Sequence, residues 1–182
     1  IMKSGVQVGG TQGAASAASN EPVKYSDFLH LPHGLDGYFD YDQALKAAQA
    51  QDKPLFIDFT GHGCVNCREM EQSVWSDPRV LEMLKNDYII VALYVDDKTK
   101  LPAEEVYVSE YDGKKKNTLG KKNTDFQIKQ FESNAQPNYI LLDSRKGNEK
   151  VLQPARGYNK DRDAFVKFLQ DGLKEYKARA GK

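Results

Sequence analysis

Residues 55–71 read Leu-Phe-Ile-Asp-Phe-Thr-Gly-His-Gly-Cys-Val-Asn-Cys-Arg-Glu-Met-Glu, and this stretch decides the fold. Its opening residues are apolar and β-prone apart from one acid, Asp58, and two glycines follow at Gly61 and Gly63. From Cys64 onward the residues suit a helix. The pattern predicts a strand, a tight turn and a helix, with both cysteines of the chain lying where the turn meets the helix.

The spacing of the cysteines predicts that they have different chemical roles. Cys64 is expected to lie beside the unpaired N–H groups and the positive end of the helix dipole, which lower the pKa of a thiol and make it the attacking nucleophile. Cys67 lies one helical turn further along and is expected to be more buried. After Cys64 attacks a disulfide in another protein, Cys67 can release the product by attacking Cys64.

Other uses of a cysteine pair fit this chain less well. A lone Cys-x-x-Cys after a strand favours redox chemistry, and a structural disulfide that closes so small a loop would stabilise little. Attachment of haem is excluded because Arg68, rather than a histidine, follows Cys67. An iron–sulfur cluster or a four-cysteine zinc site would lack two ligands. We therefore expect a redox-active dithiol with no bound cofactor.

Three titratable side chains are candidates for tuning the pair. Asp58 either turns outward as an ordinary strand acid or lies beneath the helix as a proton acceptor for the Cys67 thiol. Glu71 follows Cys67 by four residues and so shares its helix face, either inward as a second carboxylate or outward as a helix acid. His62 either stabilises a Cys64 thiolate when it is protonated or is a solvent-facing loop residue.

Composition limits the class of protein. The 182 residues carry 26 Lys plus Arg and 26 Asp plus Glu, and this absence of a basic excess argues against a nucleic-acid partner. No apolar run approaches the roughly 18 residues of a membrane span. Residues 1–20 are rich in Gly, Ala and Ser and are predicted to be a flexible linker or vector residues, with a single domain at 21–182.

The remaining pattern is that of an α/β protein with a central mixed β-sheet flanked by helices. The predicted elements are a short strand at 38–39, a helix at 40–51, a second helical piece capped at 76–78, a buried strand at 88–95, a helix at 124–131, strands at 139–142 and 151–152, and a final helix from Asn159 or Asp161. The charged stretch 96–123 looks like an insertion before the second half of the fold. A solvated loop or hairpin is preferred there to a partner-binding lysine patch. Trp75 is expected to pack in the core.

Several segments resemble a known family. Residues 56–67 resemble the active-site strand and helix of the thioredoxin superfamily. More closely, residues 67–71, 75–80 and 93–97 resemble the C-terminal domain of the DsbD family, which are membrane thiol:disulfide interchange proteins that carry electrons outward across the inner membrane. The resemblance covers about residues 37–176 and implies a thioredoxin-like fold.

The resemblance also assigns roles to particular residues. It implies that Asp58 and Glu71 tune the cysteine pair, and that Pro137 is cis and faces it. The substrate-binding residues expected on this basis are Gln136, Pro137, His62 and Gly63. Two features depart from ordinary thioredoxins: the dipeptide between the cysteines is Val-Asn, and Gly63 stands where an aromatic residue usually precedes the first cysteine.

The sequence and this resemblance together predict a thiol:disulfide reductase with Cys64, Cys67, Asp58 and Glu71 as its catalytic residues. The resemblance implies a membrane electron-transfer domain of the same family as electron donor and periplasmic thioredoxin-like proteins as acceptors. It also implies a monomeric soluble domain at the periplasmic face of a bacterial inner membrane. Two alternatives stay open, namely a copper carrier that uses His62, Cys64 and Cys67, and a catalytically silent interaction module that has kept the fold.

Overall fold

The computed structural model describes residues 21–180, so the flexible segment predicted for residues 1–20 lies outside the described part of the chain. The elements are α1 (Tyr41–Gln51), β1 (Leu55–Thr60), α2 (Val65–Ser73), α3 (Pro78–Asn86), β2 (Ile89–Tyr94), β3 (Tyr107–Val108), β4 (Lys115–Lys116), α4 (Leu119–Phe131), β5 (Asn138–Leu142) and α5 (Arg162–Arg179). Short 3-10 turns occur at Pro32–Gly34 and Ala103–Glu105. The order agrees with the α/β pattern predicted from the sequence.

The central sheet is mixed and has β1 in its middle. β1 runs parallel to β2 and antiparallel to β5, and Asp58 lies opposite Ala92 on one side and Tyr139 on the other. Every residue of these three strands is buried, which explains why they read as almost continuous apolar runs. The predicted mixed sheet is therefore confirmed.

Two predicted edge strands are reduced to single bridges. Tyr38 pairs with Val91 at the outer edge of β2, and Val151 pairs with Leu142 at the outer edge of β5. Neither segment continues its pairing far enough to form a strand. The prediction placed these segments correctly beside the sheet but overestimated their regularity.

The two faces of the sheet are covered by different helices, because side chains alternate along β1. Phe56 faces a core that includes Trp75, Val80 and Phe165, so α2, α3 and α5 cover this face. Ile57 faces the opposite core, to which α1 and α4 contribute. Trp75 is fully buried and packs edge-on against Phe56, which confirms its predicted place in the core. Asp58, two residues from Phe56, lies on the face that α2 covers.

Helix α4 begins five residues before the predicted start at Thr124, so the predicted insertion at 96–123 is shorter by that amount. Thr118 caps the helix, since its hydroxyl accepts a hydrogen bond from the backbone N–H of Lys121. Gly120 looked like a loop residue in the sequence, but it lies inside the helix. A Cβ atom there would come within 2.7 Å of the backbone oxygens of Val95 and Asp97, so the glycine permits close packing.

Part of the remaining insertion forms a hairpin, in agreement with the predicted loop or hairpin. Strands β3 and β4 pair antiparallel, with Tyr107 opposite Lys116. The hairpin is fastened to α4 because the buried Asp125 carboxylate accepts hydrogen bonds from the hydroxyls of Tyr107 and Ser109, at 2.6 and 2.5 Å. Lys116 pairs with Asp112 at 2.7 Å, so part of the lysine cluster is neutralised within the hairpin itself.

Candidate active site

Cys64 and Cys67 are joined by a disulfide at the start of α2, with their Cα atoms 5.3 Å apart. Cys64 is the N-cap residue of the helix, and its sulfur accepts a hydrogen bond from the backbone N–H of Cys67 at 3.1 Å. Cys67 is 2% exposed, whereas Cys64 is partly exposed. Val65, between them, is 71% exposed, so the pair opens to solvent on the Cys64 side. These positions match the unequal environments predicted from the sequence.

The loop that delivers Cys64 to the helix is held by the carboxylate of Asp96, two residues beyond the end of β2. Asp96 accepts hydrogen bonds from the backbone N–H groups of His62 and Gly63, at 2.8 and 3.0 Å. Partial desolvation alone would raise the pKa of the exposed Asp96 carboxylate, but these hydrogen bonds outweigh it and hold the pKa below its usual range. A Cβ atom on Gly61 would lie 3.1 Å from the same carboxylate, so a side chain there would crowd the contact.

His62 is engaged by a second carboxylate. Its Nε2 atom lies 2.7 Å from Oδ2 of the buried Asp97, and its ring lies over the Tyr94 ring with centroids 4.5 Å apart. Burial would raise the pKa of Asp97, but hydrogen bonds from Thr99 and His62 leave it lowered. About half of the His62 side chain is exposed. The ring therefore pairs with Asp97, and the predicted effect of His62 on a Cys64 thiolate stays a prediction.

Asp58 is buried rather than turned outward. Its residue is 3% exposed, and its Oδ1 atom has no hydrogen-bond partner among the described residues. Burial raises the pKa of Asp58 well above the usual value, the nearby Glu71 carboxylate raises it further, and Arg68 opposes both effects. The carboxyl group thus lies under α2 in a state that favours its proton. The alternative of an ordinary half-exposed strand acid does not hold.

Glu71 points inward from α2 and forms the second member of a carboxyl pair with Asp58. Its residue is 9% exposed, and burial raises its pKa while Arg68 and His33 lower it. Nε of Arg68 lies 3.1 Å from Oε2 of Glu71, but the two atoms are not aligned as a hydrogen bond, so the contact is an ion pair. Of the two orientations left open for Glu71, the inward one is observed.

Arg68 is a site residue that the sequence did not reveal. Its guanidinium group donates hydrogen bonds to the hydroxyl of Thr60 and the carbonyl of Gly61, at 2.8 and 3.2 Å. Arg68 therefore ties the end of β1 to α2 while it lies within the electrostatic reach of Asp58 and Glu71. Its place directly after Cys67 was the available signal, but spacing alone does not show which way a helical arginine points.

Pro137 follows a cis peptide bond from Gln136, as the family resemblance implied. The next residue, Asn138, pairs with Phe59 near the end of β1, so Pro137 lies at the edge of the sheet from which the cysteine loop departs. The Gln136 side chain donates to the carbonyl of Asn134 at 2.8 Å and to the Gln127 side chain at 3.2 Å. The structure thus brings the predicted substrate-binding residues to one end of the sheet, and their role stays a prediction.

Among residues 21–180, no three His, Cys, Asp or Glu side chains are grouped so that they could hold a metal ion. In the same range no helix combines the length and apolar character that crossing a membrane requires.

Comparison with solved structures identifies the fold. The chain is similar to a thioredoxin from Thermus thermophilus, with a TM-score of 0.58 and 20% identity over 80% of this chain and 92% of that one. It is also similar to a DsbH oxidoreductase, with a TM-score of 0.56 and 20% identity over 94% and 95% of the two chains. At this level of identity the likeness shows the fold alone.

Comparison with curated sequences points to the DsbD proteins. The chain is 42% identical over 53 residues to the thiol:disulfide interchange protein DsbD of Salmonella typhi, which covers 29% of this chain and 9% of that protein. It is 27% identical over 85 residues to DsbD of Campylobacter jejuni, or 46% of this chain and 15% of that protein. The chain therefore spans only a small part of the length of these relatives.

More than half of the chain matches a protein family. Residues 36–144 match the family described as Thioredoxin-like, and this range contains both cysteines, both buried carboxyl groups and Pro137. The fold, the Cys-x-x-Cys pair at a helix start and the DsbD similarity agree with this match. The chain belongs to the thioredoxin-like family, and part of it is similar in sequence to the DsbD proteins.

Proposed function

We propose that this chain is a thiol:disulfide reductase that transfers two electrons through Cys64 and Cys67. The observation that carries the proposal is the unequal placement of the two sulfurs, with Cys64 partly exposed as the N-cap of α2 and Cys67 buried one turn along the helix. Helix N–H groups and the helix dipole favour a thiolate at such an N-cap position. The exposed sulfur is then the one that meets a substrate.

The reaction is a pair of thiol–disulfide exchanges. The Cys64 thiolate attacks one sulfur of the substrate disulfide, forms a mixed disulfide and releases the other substrate sulfur as a thiolate. Cys67 then loses its proton and attacks the Cys64 sulfur, which closes the Cys64–Cys67 disulfide and releases the second substrate thiolate. The substrate gains two electrons, and the dithiol becomes the disulfide.

The buried carboxyl pair supplies the proton chemistry of the second exchange. A buried thiol is a poor nucleophile until it is deprotonated, and the raised pKa of Asp58 brings this carboxylate closer to the basicity that the transfer needs. Burial is the main cause of the high Asp58 pKa, the charge of Glu71 adds to it, and Arg68 limits the rise. Asp58 and Glu71 thus act on Cys67, while Cys64 depends on the helix start.

Substrate is proposed to bind at the end of the sheet that carries the Cys64 loop and Pro137. Gln136, Pro137, His62 and Gly63 contribute to this surface, and the exposed Val65 side chain adds an apolar contact. Extended peptides commonly bind such surfaces through main-chain hydrogen bonds. A folded protein with an accessible disulfide is the class of substrate that fits.

The DsbD relatives support a place for the chain in an electron-transfer sequence. Their printed name describes thiol:disulfide interchange. We propose that a membrane electron-transfer domain reduces Cys64–Cys67 and that periplasmic thioredoxin-like proteins receive the electrons. On this proposal the chain works as a monomeric domain at the periplasmic face of a bacterial inner membrane, with no bound cofactor and no nucleic-acid partner.

Reduction of insulin by the chain in the presence of dithiothreitol tests the activity. We expect the wild-type chain to accelerate precipitation of the insulin B chain and the Cys64→Ser variant to have no effect. Equilibration of the pair with glutathione then gives the reduction potential and the direction of electron flow. A tight complex of the reduced chain with Cu(I), without insulin reduction, would instead favour the copper carrier. Failure in both assays would favour the silent interaction module.

A further inference from the structure

A cleft of about 270 Å³ opens beside Glu71, the outer member of the carboxyl pair. One wall is the lead-in segment, with His30 and His33, and the other is the outer side of α2, with Arg68 and Glu71. The Glu71 side chain is 11% exposed, so it forms the inner end of the cleft, whereas His33 is exposed at its mouth. The cleft therefore joins solvent to Glu71, whose charge acts on Asp58.

His33 is fixed against α2 by its ring and by its backbone. Its Nε2 atom lies 2.7 Å from the backbone carbonyl oxygen of Glu71, and because a carbonyl only accepts, Nε2 carries the donated hydrogen. The backbone of His33 has a φ of 57° within the 3-10 turn Pro32–Gly34. The remaining ring nitrogen, Nδ1, is left to take up or release a proton.

The proposed mechanism requires a route by which a proton moves between the buried Asp58 and solvent. Asp58 takes the Cys67 proton during the second exchange and gives it back when the disulfide is next reduced, yet Asp58 is only 3% exposed. Glu71 is the neighbouring carboxyl group, close enough for its charge to act on Asp58. Because Glu71 also lines the cleft, it is the carboxyl group through which a proton from Asp58 would reach the cleft.

We propose that this cleft is the path by which the Cys67 proton exchanges with solvent, and that His33 is the residue that accepts and returns the proton at its mouth. This inference rests on the proposed reductase function. During release of substrate, Cys67 gives its proton to the Asp58 carboxylate as its sulfur attacks Cys64. The proton then passes from Asp58 to Glu71, to Nδ1 of His33 and to water. When the disulfide is reduced again, one proton returns along the same path.

Several other charged or titratable groups act on the carboxyl pair and will shape its pH dependence. Arg68 from α2, Tyr94 from β2 and Tyr139 from β5 all interact electrostatically with Glu71 or Asp58. A changed pH profile alone would therefore not identify His33. Rescue by an added proton carrier separates proton transfer from a structural effect, because imidazole replaces the function of the ring but not its contacts.

The test is the single-turnover reduction of a small disulfide by the reduced chain in dilute, imidazole-free buffer near neutral pH. Two variants remove the ring in different ways. Asparagine tolerates the backbone conformation of His33 well, and glutamine has an amide long enough to keep the hydrogen bond to Glu71. We expect both His33→Asn and His33→Gln to be slower than the wild type by about 10-fold or more, and both rates to recover when imidazole is added.

Matched controls make the outcome specific. His30→Asn alters the other histidine of the cleft, for which no contact with Glu71 is seen, and it should keep the wild-type rate. Glu71→Gln should be slow and should not recover with imidazole, because the inner step of the path is lost. Wild-type rates in both His33 variants, or slow rates that imidazole does not restore in chains with normal thermal unfolding, would overturn the relay. Insulin reduction by the wild type stands apart, since its failure would remove the reductase function itself.

Discussion

Asp58 in β1 and Glu71 in α2 form a buried carboxyl pair beneath the cysteine helix, with the charge of Glu71 raising the pKa of Asp58. Burial is the larger cause of that rise, and Arg68 opposes it. Two acids placed so close together in the interior are costly unless one of them keeps a proton. The raised pKa of Asp58 therefore makes the stability of the fold depend on pH.

We expect the Asp58→Asn variant to change how stability depends on pH. The pKa of Asp58 is higher in the folded chain than the ordinary value of about 3.9, so the folded state holds the proton more tightly. The contribution of Asp58 to the free energy of unfolding is fully present below about pH 3.9. It is lost as the pH rises through the pKa that Asp58 has in the folded state. In the asparagine variant this loss disappears, so its stability relative to the wild type should increase as pH rises. Urea unfolding at a series of pH values measures the difference.

The quantity compared between the two chains is the slope of the free energy of unfolding against pH. Burying the asparagine amide adds a cost that is the same at every pH, so it does not change this slope. Asp36→Asn alters an exposed aspartate and should change the free energy of unfolding by less than about 0.5 kcal/mol. Parallel unfolding curves for the wild type and Asp58→Asn across the pH range would contradict the raised pKa. The same variant should reduce insulin about 10²-fold more slowly, which is the usual scale of general acid–base catalysis.

A second prediction concerns the resolving cysteine. Cys67→Ser should accumulate a mixed disulfide between Cys64 and substrate, because no second thiol remains to attack Cys64. Mass spectrometry of the alkylated reaction mixture detects the adduct as a fixed increase in mass. The matched control is Cys64→Ser, which should form little adduct because Cys67 is 2% exposed. Equal adduct formation by the two variants would show that the sulfurs do not differ in accessibility as the structure indicates.

The sequence was most informative where the relevant signal is local. Strand, turn and helix around Cys64 could be predicted because glycines, apolar runs and helix-forming residues follow one another in the chain. The inward direction of Glu71 could be stated only as one of two alternatives, since spacing from Cys67 fixes the helix face but not what covers it. The contacts of Arg68 with Thr60 and of His33 with Glu71 depend on how the chain folds in space, so no local sequence pattern predicts them.

A third prediction concerns the loop that precedes Cys64. Asp96→Ala removes the acceptor for the backbone N–H groups of His62 and Gly63, and the loss should be about 1 kcal/mol in the free energy of unfolding because the site is exposed. Hydrogen exchange should quicken at both amides. Since the pKa of Asp96 is lowered in the folded chain, its contribution is present above about pH 3.9 and is lost as pH falls through the folded-state pKa.

The control for the loop is Lys98→Ala, an exposed neighbour that should leave exchange at His62 and Gly63 unchanged. Wild-type chain at a pH low enough to protonate Asp96 should resemble the alanine variant in the same measurement. Unchanged amide exchange in Asp96→Ala would mean that the turn between β1 and α2 keeps its shape without this carboxylate.

The last prediction concerns Gly120 in the first turn of α4, a helix that begins five residues before its predicted start. Alanine favours helix over glycine by about 1 kcal/mol, so Gly120→Ala would stabilise an ordinary exposed helix. Here the added Cβ would lie 2.7 Å from the backbone oxygens of Val95 and Asp97, which cannot move aside without shifting the chain after β2. We therefore expect a net loss of about 1–3 kcal/mol in the free energy of unfolding, measured with urea. Lys121→Ala, at the next and exposed position, should be nearly neutral. A stabilised Gly120→Ala chain would show that α4 does not pack this closely against the segment after β2.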